Sequence, residues 1–277
     1  MITVNHLTFQ INQRVILHDI SFRFEKGKFY VLAGPNGSGK STLLKCLCGL
    51  ERNHTGQVQL MGQPLAGYPH RQRAHIQTYV PQQSHSGFDF SVKEFVMMGR
   101  YPYQNTFAAL SNDDMALCHR IMTDTDTLHL STQSVQTLSG GEYQRVVIAR
   151  ALMQDTPVVY LDEPFSQLDL FHQSAMLKLF REQCNRYHKT VICVLHDFNQ
   201  ILQYADQVLL LNNGHIAAHG EPYQTLTPKA IEQIYRIRTR WAVTDNNCRP
   251  GLLPVMQDKN PLNDFTRLTV DVSGLVN

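Results

Sequence analysis

Apolar and polar residues alternate over residues 2–24, with β-branched and aromatic side chains on one face and a polar break at residues 12–14. This period of two predicts two strands joined as a hairpin. A short apolar run, Phe29–Ala33, leads through a glycine-rich turn into residues 41–50, where leucines recur at a helical spacing. A strand, a loop and a helix in this order open an α/β unit.

The pattern changes in the second half of the chain. Residues 92–153 carry apolar residues at helical spacing, so this region is predicted to be mainly helical. Near-continuous apolar runs at Val158–Leu161 and 191–195 flank a helical stretch at residues 170–187. Runs of this kind indicate strands that are covered on both faces of a parallel sheet.

The C-terminal part contains one clear hairpin pattern and then loses periodicity. Residues 208–211 and 215–218 are separated by an Asn-Gly turn, which predicts a hairpin. Residues 241–277 are rich in Asn, Asp, Pro and Arg and lose periodicity. We therefore expect one domain over residues 1–240, followed by a loosely ordered extension over residues 241–277.

The composition excludes several classes of protein. The 277 residues include 25 Lys and Arg against 23 Asp and Glu, a net charge of +2, which lacks the basic excess of a dedicated nucleic-acid binder. A hydrophobic fraction of 43% with 17% charged residues is typical of a folded globular protein. The start has no signal-peptide pattern, and no apolar run is long enough to span a bilayer, so any membrane role is expected to come through a partner.

The cysteines do not form a recognisable metal or redox motif. They lie at positions 46, 48, 118, 184, 193 and 248, without a C-x-x-C pair or a histidine cluster at zinc-finger spacing. We expect reduced and mostly buried thiols, as in a cytosolic protein.

Residues 34–42 fit the phosphate-loop pattern G-x-x-x-x-G-K-[ST], between a predicted strand and a predicted helix. Glycines let the backbone wrap closely, so that its N–H groups and the helix N-terminus face the phosphates. Lys40 is expected to reach the β- and γ-phosphates, and Ser41 to offer a hydroxyl to Mg²⁺. The predicted nucleotide-binding residues of this loop are Gly34, Pro35, Asn36, Gly37, Ser38, Gly39, Lys40, Ser41 and Thr42.

The phosphate loop alone leaves a kinase, a GTPase and a motor ATPase open. The apolar strand Val158–Leu161 ends in Asp162 and Glu163. This placement predicts Asp162 beside the Mg²⁺ shell and Glu163 next to the γ-phosphate, where a carboxylate can orient and polarise the attacking water. In isolation, two acids after a strand are equally a helix-capping pair.

A second glycine-containing turn, LSGGEYQR at residues 138–145, enters a helix shortly before the acidic strand. Its N–H groups and the Ser139 hydroxyl offer a further anion site, whereas the simpler interpretation is a helix capped by Ser139. This segment resembles the signature of ATP-binding cassette (ABC) proteins. The resemblance implies that Ser139, Gly140 and Gly141 contact nucleotide, and it disfavours a P-loop kinase.

Further motifs match the same family in the expected order, and the resemblance extends over residues 1 to about 235. Gln82 matches the Q-loop glutamine, which in the family senses Mg²⁺ and water. Residues 166–169 look like the D-loop that runs along the partner subunit, and His196 matches the switch histidine that contacts the γ-phosphate. The resemblance thus implies catalytic roles for Glu163, His196 and Gln82, and Mg²⁺ contacts for Ser41, Gln82 and Asp162.

The family resemblance also implies an architecture and partners. The expected fold is an α/β P-loop NTPase cassette with a RecA-like core sheet, an N-terminal antiparallel β subdomain and a helical signature subdomain near residues 85–150. Its cofactors are ATP and Mg²⁺. Two copies are expected to pack head to tail as a homodimer against two transmembrane permease subunits, with a periplasmic substrate-binding protein involved indirectly and no nucleic acid. The expected location is the cytoplasmic face of the inner membrane, as a peripheral protein.

Residues 91–103 resemble the V-x-E-x-V-x-x-G-R-x-P-[YFH] run of ATPases that serve importers of ferric siderophores, haem and vitamin B12. The family docks the permease in this region, which makes Met97, Met98 and Tyr101 candidate contacts, although they fit an amphipathic core helix equally well. The expected activity is therefore ATP hydrolysis that energises import. A ferric siderophore is the first expectation for the cargo, with haem, cobalamin and oxyanions such as molybdate as alternatives.

One departure from the family concerns the adenine base. Family members usually carry an aromatic residue in the early strand loop, and Ile11 stands at the equivalent place here. Stacking of an aromatic ring on a base contributes roughly 1–3 kcal/mol. Adenine binding is therefore predicted to be weaker than in a relative with tyrosine, unless Phe9 replaces that contact.

Two other functional classes compete with the importer ATPase. A cassette protein of DNA repair or translation usually has two cassettes or long coiled-coil insertions, and this chain has one cassette and no sustained heptads. A non-hydrolysing, ATP-gated regulatory module is disfavoured because Lys40, Asp162, Glu163 and His196 are all present.

Overall fold

The computed structural model of the chain describes residues 1–82, 87–104, 111–242 and 250–255. The chain divides into two compact units, Met1–Thr227 and Pro228–Asn277. The larger unit is a mixed α/β structure with an antiparallel sheet, a mainly parallel sheet and covering helices. Among the described residues, no helix combines the length and the apolar character that crossing a membrane requires.

The antiparallel sheet is formed by the N-terminal part of the chain. Its first two strands alternate buried and exposed residues, as the sequence pattern predicts, and Asn12 and Gln13 form the turn with φ values of 46° and 67°. The remaining strands were not predicted. In spatial order the sheet contains β2 (Arg14–Phe24), β1 (Ile2–Ile11), β4 (His54–Leu60) and β5 (Gln63–Pro64).

The second sheet carries the proposed nucleotide site. Three neighbouring strands of this sheet, Phe29–Ala33, Thr190–Val194 and Val158–Leu161, are buried along their whole length, which explains their continuous apolar sequences. Neighbouring strands are parallel, except for the last hairpin, whose Asn-Gly turn was predicted. In spatial order the sheet contains β10 (His215–Gly220), β9 (Gln207–Asn212), β3 (Phe29–Ala33), β8 (Thr190–Val194), β7 (Val158–Leu161) and β6 (Gln77–Val80).

Helices cover the sheets of the larger unit. The helix after the phosphate loop packs in the core between them, with Leu43, Leu44 and Leu47 fully buried. Burial of one such side chain contributes about 1.5–3 kcal/mol. The helices are α1 (Lys40–Cys48), α2 (His70–Ala74), α3 (Val92–Met97), α4 (Asn112–Asp124), α5 (Gly140–Met153), α6 (Leu170–Tyr187), α7 (Phe198–Tyr204) and α8 (Pro222–Thr225).

The predicted mainly helical region corresponds to α3, α4 and α5, which pack against one another. Each begins with a capping box, in which a serine and the acidic residue three positions later satisfy each other's backbone N–H groups. Gly99 lies in the segment that follows α3 and packs against the end of α5, where an added Cβ atom would be 2.4 Å from the carbonyl oxygen of Arg150. A larger residue there would push this segment away from α5, so this glycine has a packing role.

The smaller unit contains α9 (Pro228–Tyr235) and a two-stranded antiparallel sheet of β11 (Thr239–Ala242) and β12 (Gly251–Pro254). These strands include residues 241–242 and 251–254, for which the sequence pattern predicts no regular element. Residues 243–249 and 256–277 lie outside the described part of the chain, and so does Cys248. The domain boundary near residue 240 stays a prediction.

Candidate functional site

The predicted site residues lie at one edge of the parallel sheet. The phosphate loop follows β3, Asp162 and Glu163 follow β7, and His196 comes shortly after β8. Gln82 follows β6, which is parallel to β7. Because parallel strands direct their carboxyl ends to the same edge, four segments distant in sequence converge there, as is usual for ligand sites in α/β proteins.

The phosphate loop needs glycine at two places. Gly34 has φ of 149°, and an added Cβ atom would lie 2.2 Å from the Leu211 carbonyl oxygen. Gly39 has φ of 98°, and its Cβ atom would lie 2.7 Å from a methyl group of Leu17. A side chain at either position would therefore be strained and would collide with its neighbours. The loop conformation follows from these glycines.

Lys40 lies inside the phosphate loop. Its Nζ donates to the carbonyl oxygens of Gly34 and Pro35, both at 2.9 Å, and the side chain is only 5% exposed. Burial lowers the pKa of Lys40, and the negative charges of Glu163 and Asp162 oppose that shift. The Lys40 ammonium group is thus held against the backbone of the phosphate loop.

A cavity of about 500 Å³ opens over the phosphate loop. Eight of its ten lining residues belong to the predicted site, whereas Arg14 and Ile16 of β2 do not, because no motif covers that strand. The lining residues are Arg14, Ile16, Asn36, Gly37, Gly39, Lys40, Ser41, Thr42, Gln82 and Glu163.

The Asp162 carboxylate is 3% exposed and has two side-chain partners. The Ser41 hydroxyl donates to Oδ1 at 2.7 Å, and the Tyr79 hydroxyl donates to Oδ2 at 3.1 Å. Burial, first of all, and then the nearby Asp162 charge raise the pKa of Tyr79, so the phenol stays a donor. Hydroxyl and carboxylate oxygens at this spacing suit Mg²⁺, which usually takes only one or two protein ligands and completes its shell with phosphates and water.

The three residues with expected catalytic roles meet at one carboxylate. Gln82 donates from Nε2 to Oε2 of Glu163 at 2.7 Å, and Nε2 of His196 lies 2.7 Å from Oε1 of Glu163. Since an ionised carboxylate only accepts, His196 donates its Nε2 proton in this contact. These two contacts fix the Glu163 carboxylate at both oxygens. Glu163 also has φ of 48°, an uncommon backbone conformation for a residue with a side chain.

The signature segment occupies a different place from the phosphate loop. Ser139 and Gly140 are exposed, and neither they nor Gly141 line the cavity among the residues that the structure describes. Gly140 lies against the D-loop instead, since an added Cβ atom would be 2.8 Å from Oε1 of Gln167. One copy of the chain thus presents the signature and the phosphate loop as separate surfaces.

The two candidates for adenine contact have opposite environments. Phe9 is 3% exposed and belongs to the hydrophobic core, whereas Ile11 is 51% exposed beside the hairpin turn. The aromatic ring of Phe9 is therefore not available for stacking. Of the two candidates, the accessible one is the aliphatic side chain of Ile11.

A groove of about 490 Å³ lies between β6, α5 and the segment after α3. Met98 and Tyr101 line it, and Tyr101 is 60% exposed, whereas Met97 is 6% exposed and belongs to the core. Of the three candidate permease contacts, Met98 and Tyr101 are thus accessible. The groove is lined by Ala74, Gln77, Thr78, Tyr79, Met98, Gly99, Tyr101, Pro102, Val147, Arg150, Ala151 and Gln154.

The cysteines that the structure describes are free and buried. Burial raises the pKa of Cys46 to about 12 and that of Cys48 to about 11. A thiol with so high a pKa is a poor nucleophile at neutral pH. These cysteines have structural roles, as the sequence analysis expects.

Comparison with known proteins identifies the family of the chain. The ABC transporter family model matches residues 17–166. The chain is 39% identical over 240 residues to the hemin import ATP-binding protein of Vibrio parahaemolyticus, which covers 84% of this chain and 90% of that protein. It is 36% identical over 255 residues to the hemin import ATP-binding protein of Shewanella denitrificans, with 90% and 99% covered.

Solved structures give the same result. A metal-chelate type ABC transporter in an inward-facing conformation matches with a TM-score of 0.79 and 28% identity, covering 92% of this chain and 98% of that chain. The predicted α/β cassette fold is therefore confirmed. The chain belongs to the ABC transporter family and is the ATPase subunit of an ABC importer.

Proposed function

We propose that this ATPase hydrolyses ATP with Glu163 as the carboxylate that orients and polarises the attacking water. The contacts of Glu163 with Gln82 and His196, both at 2.7 Å, are the observation that supports this role. A carboxylate has about four acceptor positions, so two hydrogen bonds leave positions for a water molecule. Gln82 and His196 hold the carboxylate towards the cavity. In the nucleotide-bound state, His196 is also proposed to contact the γ-phosphate.

We assign the Mg²⁺ contacts to Ser41, Asp162 and Gln82, of which Ser41 and Asp162 are hydrogen-bonded to each other at 2.7 Å. The ion, when bound, neutralises charge on the β- and γ-phosphates. Lys40 provides the second positive charge for those oxygens, and the backbone N–H groups of residues 34–42 surround the phosphates. Lys40 and the backbone N–H groups are preorganised in the loop, which favours phosphoryl transfer by position and charge.

The proposed working state is a head-to-tail homodimer. The signature residues Ser139, Gly140 and Gly141 lie outside the cavity of their own chain, which fits a role on the nucleotide of a second copy. ATP would then link two surfaces, with Lys40 and Ser41 on one and Ser139 and Gly141 on the other. Such a ligand favours the closed state by its differential affinity, and hydrolysis resets the dimer.

The groove that Met98 and Tyr101 line is the proposed permease contact. It is open, partly apolar and close in sequence to the Q-loop. In the proposed assembly, two ATPase copies lie against two transmembrane subunits at the cytoplasmic face of the inner membrane. A periplasmic binding protein delivers the cargo on the other side.

Haem is the proposed cargo, in place of the ferric siderophore expected from family frequency. The support comes from the relatives, which are hemin import ATP-binding proteins whose matches cover most of the chain. The ATPase itself does not hold the cargo. A ferric siderophore stays the second candidate, since the similar solved structure is described as a metal-chelate type transporter.

Glu163→Gln tests the catalytic proposal in the purified chain. The change keeps the shape of the side chain and removes its basicity, so phosphate release is expected to fall by about 100-fold or more while ATP stays bound. Glu182→Gln is the matched control, because it makes the same chemical change on α6, away from the cavity. Steady ATP turnover by Glu163→Gln contradicts the proposed role.

The cargo is tested in host cells whose own copy carries Glu163→Gln. Growth on hemin as the iron source is expected to stop, while growth on a ferric siderophore continues. The reverse result identifies the siderophore as the cargo. Normal growth on both, with normal protein levels, contradicts both candidates and leaves the ATPase assignment intact.

A further inference from the structure

Tyr79 lies three residues before the Q-loop glutamine Gln82 and touches the proposed metal carboxylate, and the family resemblance assigns it no role. It lies in β6 next to Val80, whose carbonyl oxygen accepts from the Asp162 N–H at 2.9 Å. The Tyr79 hydroxyl donates to Oδ2 of Asp162 at 3.1 Å. Oδ1 of the same carboxylate accepts from the Ser41 hydroxyl at 2.7 Å. The backbone of Asp162 and both of its carboxylate oxygens are therefore held by neighbours.

The two hydroxyl contacts use different oxygens of the Asp162 carboxylate. Oδ1 faces Ser41, the residue that follows the phosphate-loop lysine, and so points towards the proposed metal position. Oδ2 faces the sheet and Tyr79. If the phenol is removed, the carboxylate gains freedom to rotate about its terminal bond, and Oδ1 is no longer fixed next to Ser41. Partners that orient a metal ligand typically change metal affinity or activity by about 10–100-fold when they are removed.

We propose that Tyr79 is a positioning residue for the metal site, which holds Oδ2 of Asp162 so that Oδ1 stays directed at the ion. The inference rests on the proposed Mg²⁺ contacts of Ser41 and Asp162. Tyr79 does not touch the ion or the phosphates. Its effect is confined to how well Mg²⁺ improves ATP binding and to the Mg²⁺ concentration that hydrolysis requires.

The chain offers a close control in the neighbouring strand. Tyr160 of β7 is the register partner of Tyr79 in the parallel pair, and its hydroxyl donates to the Leu47 carbonyl oxygen at 3.2 Å. It is fully buried, and among the described residues its hydroxyl makes no hydrogen bond to Asp162. Tyr160→Phe thus removes the same hydroxyl from the same sheet without touching the metal carboxylate.

The test measures ATP affinity by calorimetry in the Glu163→Gln background, with saturating Mg²⁺ and with EDTA. Tyr79→Phe is expected to reduce the Mg²⁺-dependent gain in affinity by about tenfold and to leave the EDTA value unchanged. Tyr160→Phe is expected to change neither value beyond its effect on stability. In the chain with Glu163 intact, Tyr79→Phe is expected to raise the Mg²⁺ concentration for half-maximal hydrolysis, and Mn²⁺, a tighter-binding ion, to restore part of the rate.

Asp162→Asn separates failure of this inference from failure of the site. If Asp162→Asn loses the Mg²⁺-dependent gain and Tyr79→Phe keeps it, Tyr79 is not a positioning residue and the metal assignment stands. If neither variant changes the gain, both the assignment of Asp162 and the inference drawn from it are wrong. A loss of equal size in Tyr79→Phe and Tyr160→Phe also overturns the proposal, because it identifies a general effect on the sheet.

Discussion

Helices α1 and α5 both begin at a glycine-containing motif of the proposed ATP site, but their N-termini are different. At α1 the capping residue is Gly39, which supplies no side-chain hydrogen bond, and the first turn has no acidic residue. At α5 the Ser139 hydroxyl caps the N–H of Glu142, and the Glu142 carboxylate accepts from the N–H of Ser139 at 2.9 Å. One helix leaves its N–H groups for a ligand, whereas the other satisfies part of its own.

The difference indicates that the two helix N-termini contribute to ATP binding in different ways. A helix N-terminus carries the equivalent of about half a positive charge. At α1 all of it is available to the phosphates, together with Lys40. At α5 the hydrogen bonds from Ser139 lower the pKa of Glu142, so its charge already offsets the helix dipole. We therefore expect ATP to bind first at α1, and α5 to contribute only when a second copy brings it to the same nucleotide.

The largest effect is expected at the α1 end. Lys40→Met removes the cation that faces the phosphates, and ATP affinity is expected to fall on the order of 100-fold, the size of a lost charge-assisted contact of about 3 kcal/mol. Lys45→Met is the control, since it makes the same change in the last turn of α1. Calorimetric titration with Mg²⁺ and ATP measures both. Equal affinities in the two variants contradict the proposed phosphate contact.

The α5 end is expected to act on pairing rather than on binding. Ser139→Ala is expected to leave ATP affinity of single copies within about twofold and to reduce ATP-driven dimerisation about tenfold, because one hydroxyl contact with the bound phosphate is lost. Light scattering in the Glu163→Gln background measures the dimer. Loss of the cap alone lowers stability by about 1 kcal/mol.

Ser111→Ala separates those two effects. It removes the equivalent serine of the capping box at α4, which is not part of the signature. A dimer that forms as well with Ser139→Ala as with Ser111→Ala shows that α5 does not hold the partner's nucleotide.

The sequence identifies the α1 end better than the connections around it. The loop at residues 34–42 and the strands at Phe29–Ala33 and Val158–Leu161 lie where the sequence predicts them, since a fixed motif and fully buried strands leave unmistakable patterns. The strand Gln77–Val80 has no such pattern, because it is short, partly polar and at the sheet edge. The contact of Tyr79 with Asp162 depends on which strands are neighbours, and periodicity does not contain that information.

The adenine contact shows a similar limit. Alternation along β1 places Phe9 and Ile11 on the same face, so the sequence leaves both as candidates. The structure separates them because the hydrophobic core ends before the hairpin turn, leaving Phe9 inside and Ile11 outside. Motifs predict the phosphate contacts, whereas the choice of residue for the proposed adenine contact depends on where the core stops.

An aromatic residue at position 11 is expected to strengthen ATP binding at the part of the site that includes α1. Ile11→Tyr is expected to tighten ATP binding about fivefold, at the lower end of the roughly 1–3 kcal/mol of base stacking. Ile11→Leu controls for size without a ring. Fluorescence or calorimetric titration measures the affinities, and equal values for the two variants mean that adenine does not lie over this position.

The smallest expected effect is at Glu142, where the comparison can be partly reversed. Glu142→Gln keeps an acceptor for the Ser139 N–H but removes the negative charge at the α5 end. A charge at a helix N-terminus contributes about 0.3–1 kcal/mol, so closure with a partner's ATP is expected at about two- to fivefold lower ATP concentration. Glu94→Gln makes the same change in the capping box of α3 and is expected to leave closure unchanged. The gain should also shrink as salt is raised, because the charge is exposed and screened. If Glu142→Gln weakens closure instead, the carboxylate orients Ser139 for the partner's phosphate, and the charge at this helix end is part of the contact rather than an obstacle to it.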